Sequence, residues 1–174
     1  LCYHLTRQYP DWFSKSRRFT KPIRAVVVAT SFPIVERAIE ERIFEFLPRG
    51  FGKPKRSTQG YLSRIDCVDG SVVDILTNEM EDSACESAAW DVYWGDEPQD
   101  RSKYYAIRRG LFDRKGLSLL TFTPLTEAWM KEEILDKADG KAIEVFQVSL
   151  YDNHKDVQGK VIFPLEDIAQ FEAE

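Results

Sequence analysis

The chain has 174 residues, of which 43% are apolar, and its formal net charge at pH 7 is −5. This length fits one domain of ordinary size, and the apolar fraction is enough for a sizeable core. No apolar run approaches the roughly 20 residues of a membrane span, so we expect no membrane-spanning helix. The three cysteines (Cys2, Cys67 and Cys85) are odd in number and have no metal-binding spacing. They favour reduced thiols in a cytosol-like compartment over secretion.

Charge is distributed unevenly along the chain. Residues 1–64 carry 13 Lys and Arg against 5 Asp and Glu, whereas residues 65–174 carry 11 against 24. A basic half is able to face a polyanion such as DNA. Solvated faces without a binding role explain the same pattern, so composition alone leaves both interpretations open.

In the first half of the chain, the sequence predicts the end of a helix, a strand, a second helix, a loop and a hairpin. Residues 1–9 have the pattern of a helix tail, and the β-branched run at residues 23–30 predicts a strand that is buried on both faces. Apolar residues recur at helical spacing over residues 35–47. Residues 49–64 contain Gly and Pro and five basic residues, which predicts a basic loop. An Asp-Gly pair predicts the turn of a β-hairpin over residues 61–77.

The second half continues to alternate strands and helices. The predicted strands are 90–95, 117–122 and 143–150, and the predicted helices are 100–112, 125–135 and 165–171. Buried strands that alternate with helices predict an α/β fold with a mostly parallel sheet flanked by helices. Ligands bind such sheets at the carboxyl ends of the strands.

Two adjacent carboxylates follow one of these strands. Residues 92–97 (VYWGDE) have the form of a Walker B segment, an apolar strand that delivers Asp96 and Glu97. The first carboxylate of such a pair can hold the water shell of Mg²⁺, which prefers oxygen ligands. The second can orient and deprotonate a water that attacks a γ-phosphate. An acidic pair that only solubilises the end of a strand is the alternative.

Two threonines end the next strand of the predicted sheet. Thr121 and Thr123 lie where a hydroxyl is able to respond to the γ-phosphate of a nucleotide bound at the neighbouring strand. A threonine-rich strand end that stops at a proline explains the same residues without a ligand.

Other polar residues have simpler interpretations. Arg108 and Arg109 are possible phosphate contacts, but we expect a solvated or salt-bridged helix face. His4 and His154 have no partner at ligand or triad spacing, so we expect surface or capping residues.

Two further groups are candidates for nucleic-acid chemistry. Several acidic residues could form a two-metal nuclease cluster, although turn and strand-edge roles are favoured; they are Asp66, Asp69, Asp74, Asp91 and Asp96. Trp12, Phe13 and Phe19 lie in a basic loop and could stack on single-stranded nucleic acid, although anchoring in the core is favoured.

Four segments in order resemble the large subunit of tailed-phage terminases. The stretch HLTRQYPDWFSKSRRFTKPIRAVVV resembles the segment after the P-loop helix of that family, and WDVYWGDEPQ resembles its Walker B motif. LSLLTFTPLTEAWM resembles the coupling motif, and SLYDN resembles the Asp-Asn stretch that follows it. The matches span residues 4 to about 153.

The resemblance implies an ATPase core of the P-loop (ASCE-type) class that uses ATP and Mg²⁺ to move double-stranded DNA into a procapsid. Asp96 would be the acid that holds Mg²⁺ through water, and Glu97 would be the catalytic base. Thr121 to Thr123 would be the coupling motif. The implied partners are a portal protein, a small terminase subunit and further copies in a ring, in the host cytoplasm. In such a motor the basic residues Lys53, Lys55 and Arg56 are candidates for DNA contact.

The chain lacks one essential part of that family's pattern. It contains no G-x-x-x-x-G-K-[ST] phosphate-binding loop. We therefore expect residues 1–174 to be a partial ATPase domain, with the Walker A loop upstream and a nuclease domain downstream. Alone it should be inactive as an ATPase and should expose apolar surface along residues 26–28. The alternatives are a non-catalytic, DNA- or capsid-binding remnant of a prophage protein and another P-loop motor such as a helicase.

Overall fold

A six-stranded sheet organises the first part of the chain. The computed structural model describes residues 1–86, 88–123, 127–149, 151–155 and 158–173, in two compact units, Leu1–Met130 and Lys131–Glu174. The strands are β1 (Arg24–Ala29), β2 (Gly52–Arg56), β3 (Leu62–Cys67), β4 (Val72–Thr77), β5 (Val92–Asp96) and β6 (Leu117–Thr121). The helices of this unit are α1 (Cys2–Thr6), α2 (residues 32–46), α3 (Ser83–Glu86), α4 (Arg101–Arg114) and α5 (Ala128–Met130).

The sheet is mixed, in the order β2-β3-β4-β1-β5-β6. Strands β4, β1, β5 and β6 run parallel to one another, whereas β2, β3 and β4 are antiparallel. The α/β fold and the hairpin around Asp69-Gly70 are therefore confirmed. The carboxyl ends of the four parallel strands lie at the same end of the sheet, where ligands bind in folds of this kind.

Strand β1 is the centre of the sheet and not its edge. It pairs with β4 on one side and β5 on the other, and residues 26–28 are fully buried. The expectation of exposed apolar surface at residues 26–28 was therefore wrong. The β-branched run instead provides side chains for both faces of a central strand.

The apolar face of α2 covers one side of the sheet. Val35, Ile39 and Ile43 are buried in the main core cluster, as their helical spacing predicts. The helix comprises the segments Phe32–Ile34, Val35–Glu40 and Glu41–Phe46, and the middle segment has the wider hydrogen bonding of a π-helix. The predicted helix is thus confirmed, with its start moved to Phe32.

The two edges of the sheet differ from the sequence predictions. Residues 52–56 form the edge strand β2 and not the predicted loop. Pro54 has no backbone N–H to donate, and an edge strand tolerates this because one of its sides pairs with no other strand. Strand β6, predicted as buried, lies at the opposite edge, and Leu119 on it is 48% exposed. Apolar sequence alone could not distinguish a central strand from an edge strand.

The second unit contains little regular structure. It has a π-type helical turn (Lys131–Leu135) and a helix, α6 (Leu165–Ala173), which confirms the last predicted helix. Residues 143–149 form no strand, so the predicted strand 143–150 was wrong over its described part. Leu150 lies outside the described residues, as do Leu125 and Thr126 of the predicted helix 125–135. The described part of this unit offers only an isolated bridge between Lys155 and Val161, and a strand needs neighbours for stability.

No helix in the described part of the chain is long and apolar enough to cross a membrane.

Candidate functional site

The adjacent carboxylates lie at the carboxyl end of β5, between β1 and β6. Asp96 is the last residue of the strand, and Glu97 follows with a left-handed φ of 64°. The backbone N–H of Glu97 donates to the carbonyl oxygen of Thr121 at 2.7 Å, which holds this turn against the end of β6. A non-glycine residue in this conformation is uncommon and marks a position fixed by its surroundings.

Gly95 leaves room for two neighbouring side chains just before the carboxylates. A Cβ at this position would lie 2.7 Å from the Oη atom of Tyr93 on the same strand and 2.9 Å from a methyl group of Leu120 on β6. Both distances are shorter than van der Waals contact. A larger residue at this position would therefore have to displace the side chain of Tyr93 or Leu120.

Thr121 is bonded directly to Asp96. Its hydroxyl lies 2.8 Å from Oδ1 of Asp96, and it accepts a hydrogen bond from the indole N–H of Trp94 at 2.9 Å. Thr121 pairs with Asp96 in the register between β5 and β6, and Trp94 lies two residues before Asp96 on the same face of β5. These three side chains form one hydrogen-bonded group that orients the Asp96 carboxylate.

Gln99 fixes the same turn from inside the protein. This side chain is 1% exposed, and its amide nitrogen donates to the carbonyl oxygens of Val28, Asp96 and Glu97 at 3.3, 3.0 and 2.8 Å. It therefore links the central strand β1 to the turn that carries the carboxylates. The sequence analysis did not identify Gln99, and its place in the segment DEPQ, two residues after Glu97, was the available signal.

A second amide side chain contacts the same segment. Asn78 follows β4 directly, and its backbone N–H donates to the carbonyl oxygen of Ala29 at 3.0 Å. Its side-chain amide donates to the carbonyl oxygen of Pro98 at 3.3 Å. The carboxyl ends of β4, β1 and β5 are thus connected through Asn78 and Gln99.

The described residues fit one end of a nucleotide site. Asp96, Glu97 and Thr121 supply carboxylate and hydroxyl oxygens, which suit Mg²⁺ that keeps several waters and needs only one or two protein carboxylates. No group of three or more His, Cys, Asp or Glu in the described residues could hold a metal alone. The sequence contains no G-x-x-x-x-G-K-[ST] phosphate-binding loop.

The other sequence candidates have different surroundings. Thr123 is exposed, and in the described part of the chain its hydroxyl has no hydrogen-bond partner, so only Thr121 contacts Asp96. Arg109 forms a salt bridge with Glu86 at 2.9 Å, and the Arg108 guanidinium lies over the ring of Tyr104. These contacts agree with the predicted salt-bridged helix face.

The five aspartates do not form a nuclease cluster. Asp69 binds Arg7, Asp91 binds Arg114, and Asp74 binds both Arg24 and Arg64. The remaining two are Asp66, which binds Lys55 and Arg64, and Asp96 at the site described above. Carboxylates held by cations in this way are structural ion pairs.

Two of the three basic candidates for DNA contact are paired within the chain. Lys55 forms an ion pair with Asp66, and Arg56 forms one with Glu40. Lys53 is exposed on the same strand and has no ion-pair partner among the described residues. Basic residues and a proline on an edge strand also prevent pairing with other chains, which is a role that needs no DNA.

The histidines differ from each other. His154 is in a turn of the second unit, where its ring contacts the carbonyl oxygen of Tyr151. His4, predicted to be a surface or capping residue, is partly buried, since it packs against Tyr9, Phe13 and Phe19 and hydrogen-bonds to the Tyr9 hydroxyl. Burial, and then the positive amino terminus, lowers the pKa of His4 from 6.5 to about 4.

Solved structures of the large terminase from a thermophilic bacteriophage are similar to this chain. One has a TM-score of 0.62 and 14% identity, and covers 80% of this chain and 36% of the terminase chain. A second crystal form has a TM-score of 0.58 and 12% identity, with coverages of 80% and 35%. A structure of the same terminase in complex with ADP has a TM-score of 0.48 and 16% identity, with coverages of 76% and 34%.

The chain therefore has the fold of part of a large terminase and spans about a third of that protein's length. The resemblance drawn from the sequence motifs is confirmed at the level of the fold. Comparisons of the sequence with protein-family models and with curated proteins give no match.

Proposed function

We propose that this chain is part of the ATPase motor of a terminase large subunit, which couples ATP hydrolysis to the movement of double-stranded DNA into a procapsid in the host cytoplasm. The observation that carries the proposal is the hydrogen-bonded group at the end of β5, with Thr121 bonded to Asp96 and Glu97 adjacent to it. The terminase-like fold supports the same conclusion.

In this proposal the two carboxylates have different roles. Asp96 would hold Mg²⁺ through water, and Thr121 keeps the Asp96 carboxylate oriented. Glu97 accepts a proton from the water that attacks the γ-phosphate. The bound Mg²⁺ would neutralise negative charge on the phosphates. Hydrogen bonds to Thr121 and Gln99 fix the backbone of Glu97, and its side chain is exposed. The carboxylate is therefore free to reach a water at the carboxyl end of the strands.

The phosphate-binding loop would belong to a further segment of the complete protein. Strand β6 pairs with β5 on one side, and no strand in the described ranges pairs with its other side. Leu119 on this strand is 48% exposed, which is unusual for an apolar residue of a parallel sheet. A parallel strand that leads into a P-loop would cover β6 and bring phosphate donors beside Asp96 and Thr121.

The test of the catalytic roles is ATP hydrolysis by a protein extended through that segment. Glu97→Gln should reduce turnover on the order of 10²–10⁴-fold with ATP binding retained, because an amide cannot take the proton. Asp96→Asn should instead raise the Mg²⁺ concentration needed for activity. Glu132→Gln, an exposed glutamate of the second unit, is the matched control and should leave turnover unchanged. Turnover above about a tenth of wild type in Glu97→Gln would refute the base assignment.

Calorimetry of the 174-residue chain with ATP and Mg²⁺ separates the partial motor from a non-catalytic remnant. We expect no micromolar binding by this chain and clear binding by the extended protein, because backbone N–H groups and a lysine of the P-loop hold the phosphates. Failure of the extended protein to bind ATP would favour the remnant, which only binds DNA or a capsid partner.

Contact with double-stranded DNA is proposed for the basic strand β2. Lys53 should contribute most, since Lys55 and Arg56 are already paired with acidic residues. Lys53→Glu should lower affinity and reduce the slope of log affinity against log salt concentration by about 1. Lys55→Glu should have a smaller effect on the slope. If neither variant changes the slope, this strand faces something other than DNA, such as the portal protein, the small subunit or a neighbouring copy in the ring.

A further inference from the structure

The loop between α1 and β1 is held in one conformation by Arg18 and Tyr9. The Arg18 guanidinium donates to the carbonyl oxygens of Pro10 and Phe13 at 3.0 and 2.8 Å. It also lies over the ring of Tyr9, 5.5 Å from its centre. The hydroxyl of Tyr9 accepts the backbone N–H of Phe19 at 2.9 Å. A loop fixed in this way presents its remaining side chains in a defined arrangement.

The aromatic residues of this loop form an inner and an outer group. His4, Tyr9, Phe13 and Phe19 pack edge to face or tilted against one another and anchor the loop. The outer group is Trp12, which is 76% exposed, together with Tyr3 of α1, which is 47% exposed. Their ring centres are 6.2 Å apart and their planes are nearly perpendicular. The sequence expectation that this loop's aromatics anchor the core therefore holds for Phe19, which packs against the main core cluster, and fails for Trp12. Phe13 packs against the other rings of the inner group.

The outer pair lies in a strongly basic segment. Residues 1–24 carry six Lys and Arg against one acidic residue, Asp11. Two of the arginines pair with acidic residues elsewhere in the first unit. Lys15 and Lys21 are exposed and have no ion-pair partner in the parts of the chain that the structure describes. The segment that carries the exposed aromatic rings thus retains positive side chains without an ion-pair partner among the described residues.

We propose that Tyr3, Trp12, Lys15 and Lys21 form a binding surface for single-stranded nucleic acid. The face of an exposed indole can stack on an unpaired base of any identity, and exposed lysines of the same segment can contact the phosphates of the strand. Duplex DNA hides the faces of its bases, so the aromatic pair selects an unpaired strand. This surface uses none of the residues assigned to ATP hydrolysis or to duplex contact, and it holds whether or not the chain belongs to a motor.

Fluorescence anisotropy of a labelled oligothymidine of about 12 nucleotides, within the usual site size of such surfaces, tests the proposal at low salt with the chain described here. Trp12→Ala should weaken binding about 5- to 100-fold, and Trp12→Phe should retain most of the affinity because it keeps an aromatic face. The matched control is Phe112→Ala on α4, which removes an aromatic ring that is 85% exposed. It should bind as wild type does. Lys15→Glu with Lys21→Glu should weaken binding and reduce its salt dependence.

Three outcomes would overturn the proposal. They are unchanged affinity in Trp12→Ala, an equal loss in Phe112→Ala, and binding of a duplex of the same length as tight as that of the single strand. Circular dichroism of each variant checks that the fold is intact. If Trp12→Ala is the one variant that fails to fold, the affinities of Trp12→Phe and of the lysine reversals decide the question. Unchanged affinity in all of these variants would contradict the proposed binding surface. None of these measurements involves ATP, so their failure is distinct from failure of the proposed ATPase role.

Discussion

Replacing Gln99 by Met tests how the turn that carries Asp96 and Glu97 is held. Met has a similar length and fills the same buried space, but it has no N–H to donate. The three carbonyl oxygens that now share the Gln99 amide would lose that donor. Gln99→Glu goes further, because it would direct an acceptor, and at neutral pH a buried charge, at the same oxygens.

The expected magnitude follows from the number of hydrogen bonds. Each contributes about 0.5–1.5 kcal/mol net, so loss of the shared donor costs about 1–3 kcal/mol. One effect acts in the opposite direction, since Oε1 of Gln99 is itself buried without a hydrogen-bond partner among the described residues and Met removes it. We therefore expect Gln99→Met to lower the free energy of unfolding by about 1–2 kcal/mol. Gln99→Glu should lower it further.

Thermal unfolding followed by circular dichroism measures the difference. For a chain of this size about 1–2 kcal/mol corresponds to a Tm lower by about 2–8 °C. Gln59→Met, at an exposed turn position, is the matched control and should lie within about 0.5 kcal/mol of wild type. A Gln99→Met protein as stable as wild type would mean that the unpaired oxygen costs as much as the three contacts contribute. A Gln99→Glu protein more stable than Gln99→Met would refute the interpretation of the side chain as a donor.

Three further predictions concern the site, the loop and the sheet. In the extended protein, Thr121→Val should raise the Mg²⁺ concentration needed for half-maximal ATP hydrolysis several-fold, because the Asp96 carboxylate loses its hydroxyl partner; an unchanged Mg²⁺ requirement would contradict the orienting role. Since the pKa of His4 is lowered to about 4 and an unfolded histidine titrates near 6.5, the unfolded chain binds an extra proton between these values. Stability should thus fall as pH decreases from about 6.5 to 4, and His4→Phe should flatten this part of a pH series of melting curves. Gly116→Ala should lower the free energy of unfolding by about 1–3 kcal/mol in urea unfolding, because a Cβ there would lie 2.8 Å from two backbone carbonyl oxygens.

Local patterns predicted the strands and helices that carry the site. The β-branched run of β1 and the Asp-Gly turn between β3 and β4 are local signals with direct physical causes, and both are confirmed. The end of β5 was also located correctly, since Asp96 closes an apolar run. These features depend on neighbouring residues in the sequence, so one sequence is enough to predict them.

The errors in the strand predictions have a common cause. Whether a segment forms a strand, and whether that strand lies at the centre or the edge of a sheet, depends on partners that are distant in the sequence. The run at residues 117–122 is as apolar as a central strand, yet β6 lies at the edge because only β5 pairs with it among the strands of the described residues. Residues 143–149 have the composition of a strand but pair with no strand in the described part of their own unit. Pro54 suggested a loop, whereas an edge strand accommodates it.

The same reasoning explains why part of the site was missed. Asp96 and Glu97 were identified because adjacent carboxylates at a strand end have a known chemical use. Gln99 was not, because its importance comes from a contact with Val28, 71 residues earlier in the chain. The two hydroxyl candidates were equivalent in sequence, and only the register of β5 against β6 distinguishes Thr121 from Thr123.

If the end of β5 acts on ATP as proposed, the charges there require a further cationic element. Asp96 and Glu97 bring two carboxylates together, and the phosphates of ATP are anions that carboxylates repel. Mg²⁺ reduces this repulsion, but it keeps its waters and contributes little to nucleotide capture through an indirect contact. Backbone N–H groups at a helix amino terminus and a lysine provide the missing attraction in P-loop proteins. The exposed edge of β6 lies next to the Asp96–Thr121 hydrogen bond, so a strand that pairs there would bring those donors to the carboxylates. Under the proposed function, capture and hydrolysis of ATP would be separable properties of two segments, and Asp96 and Glu97 would contribute to the second.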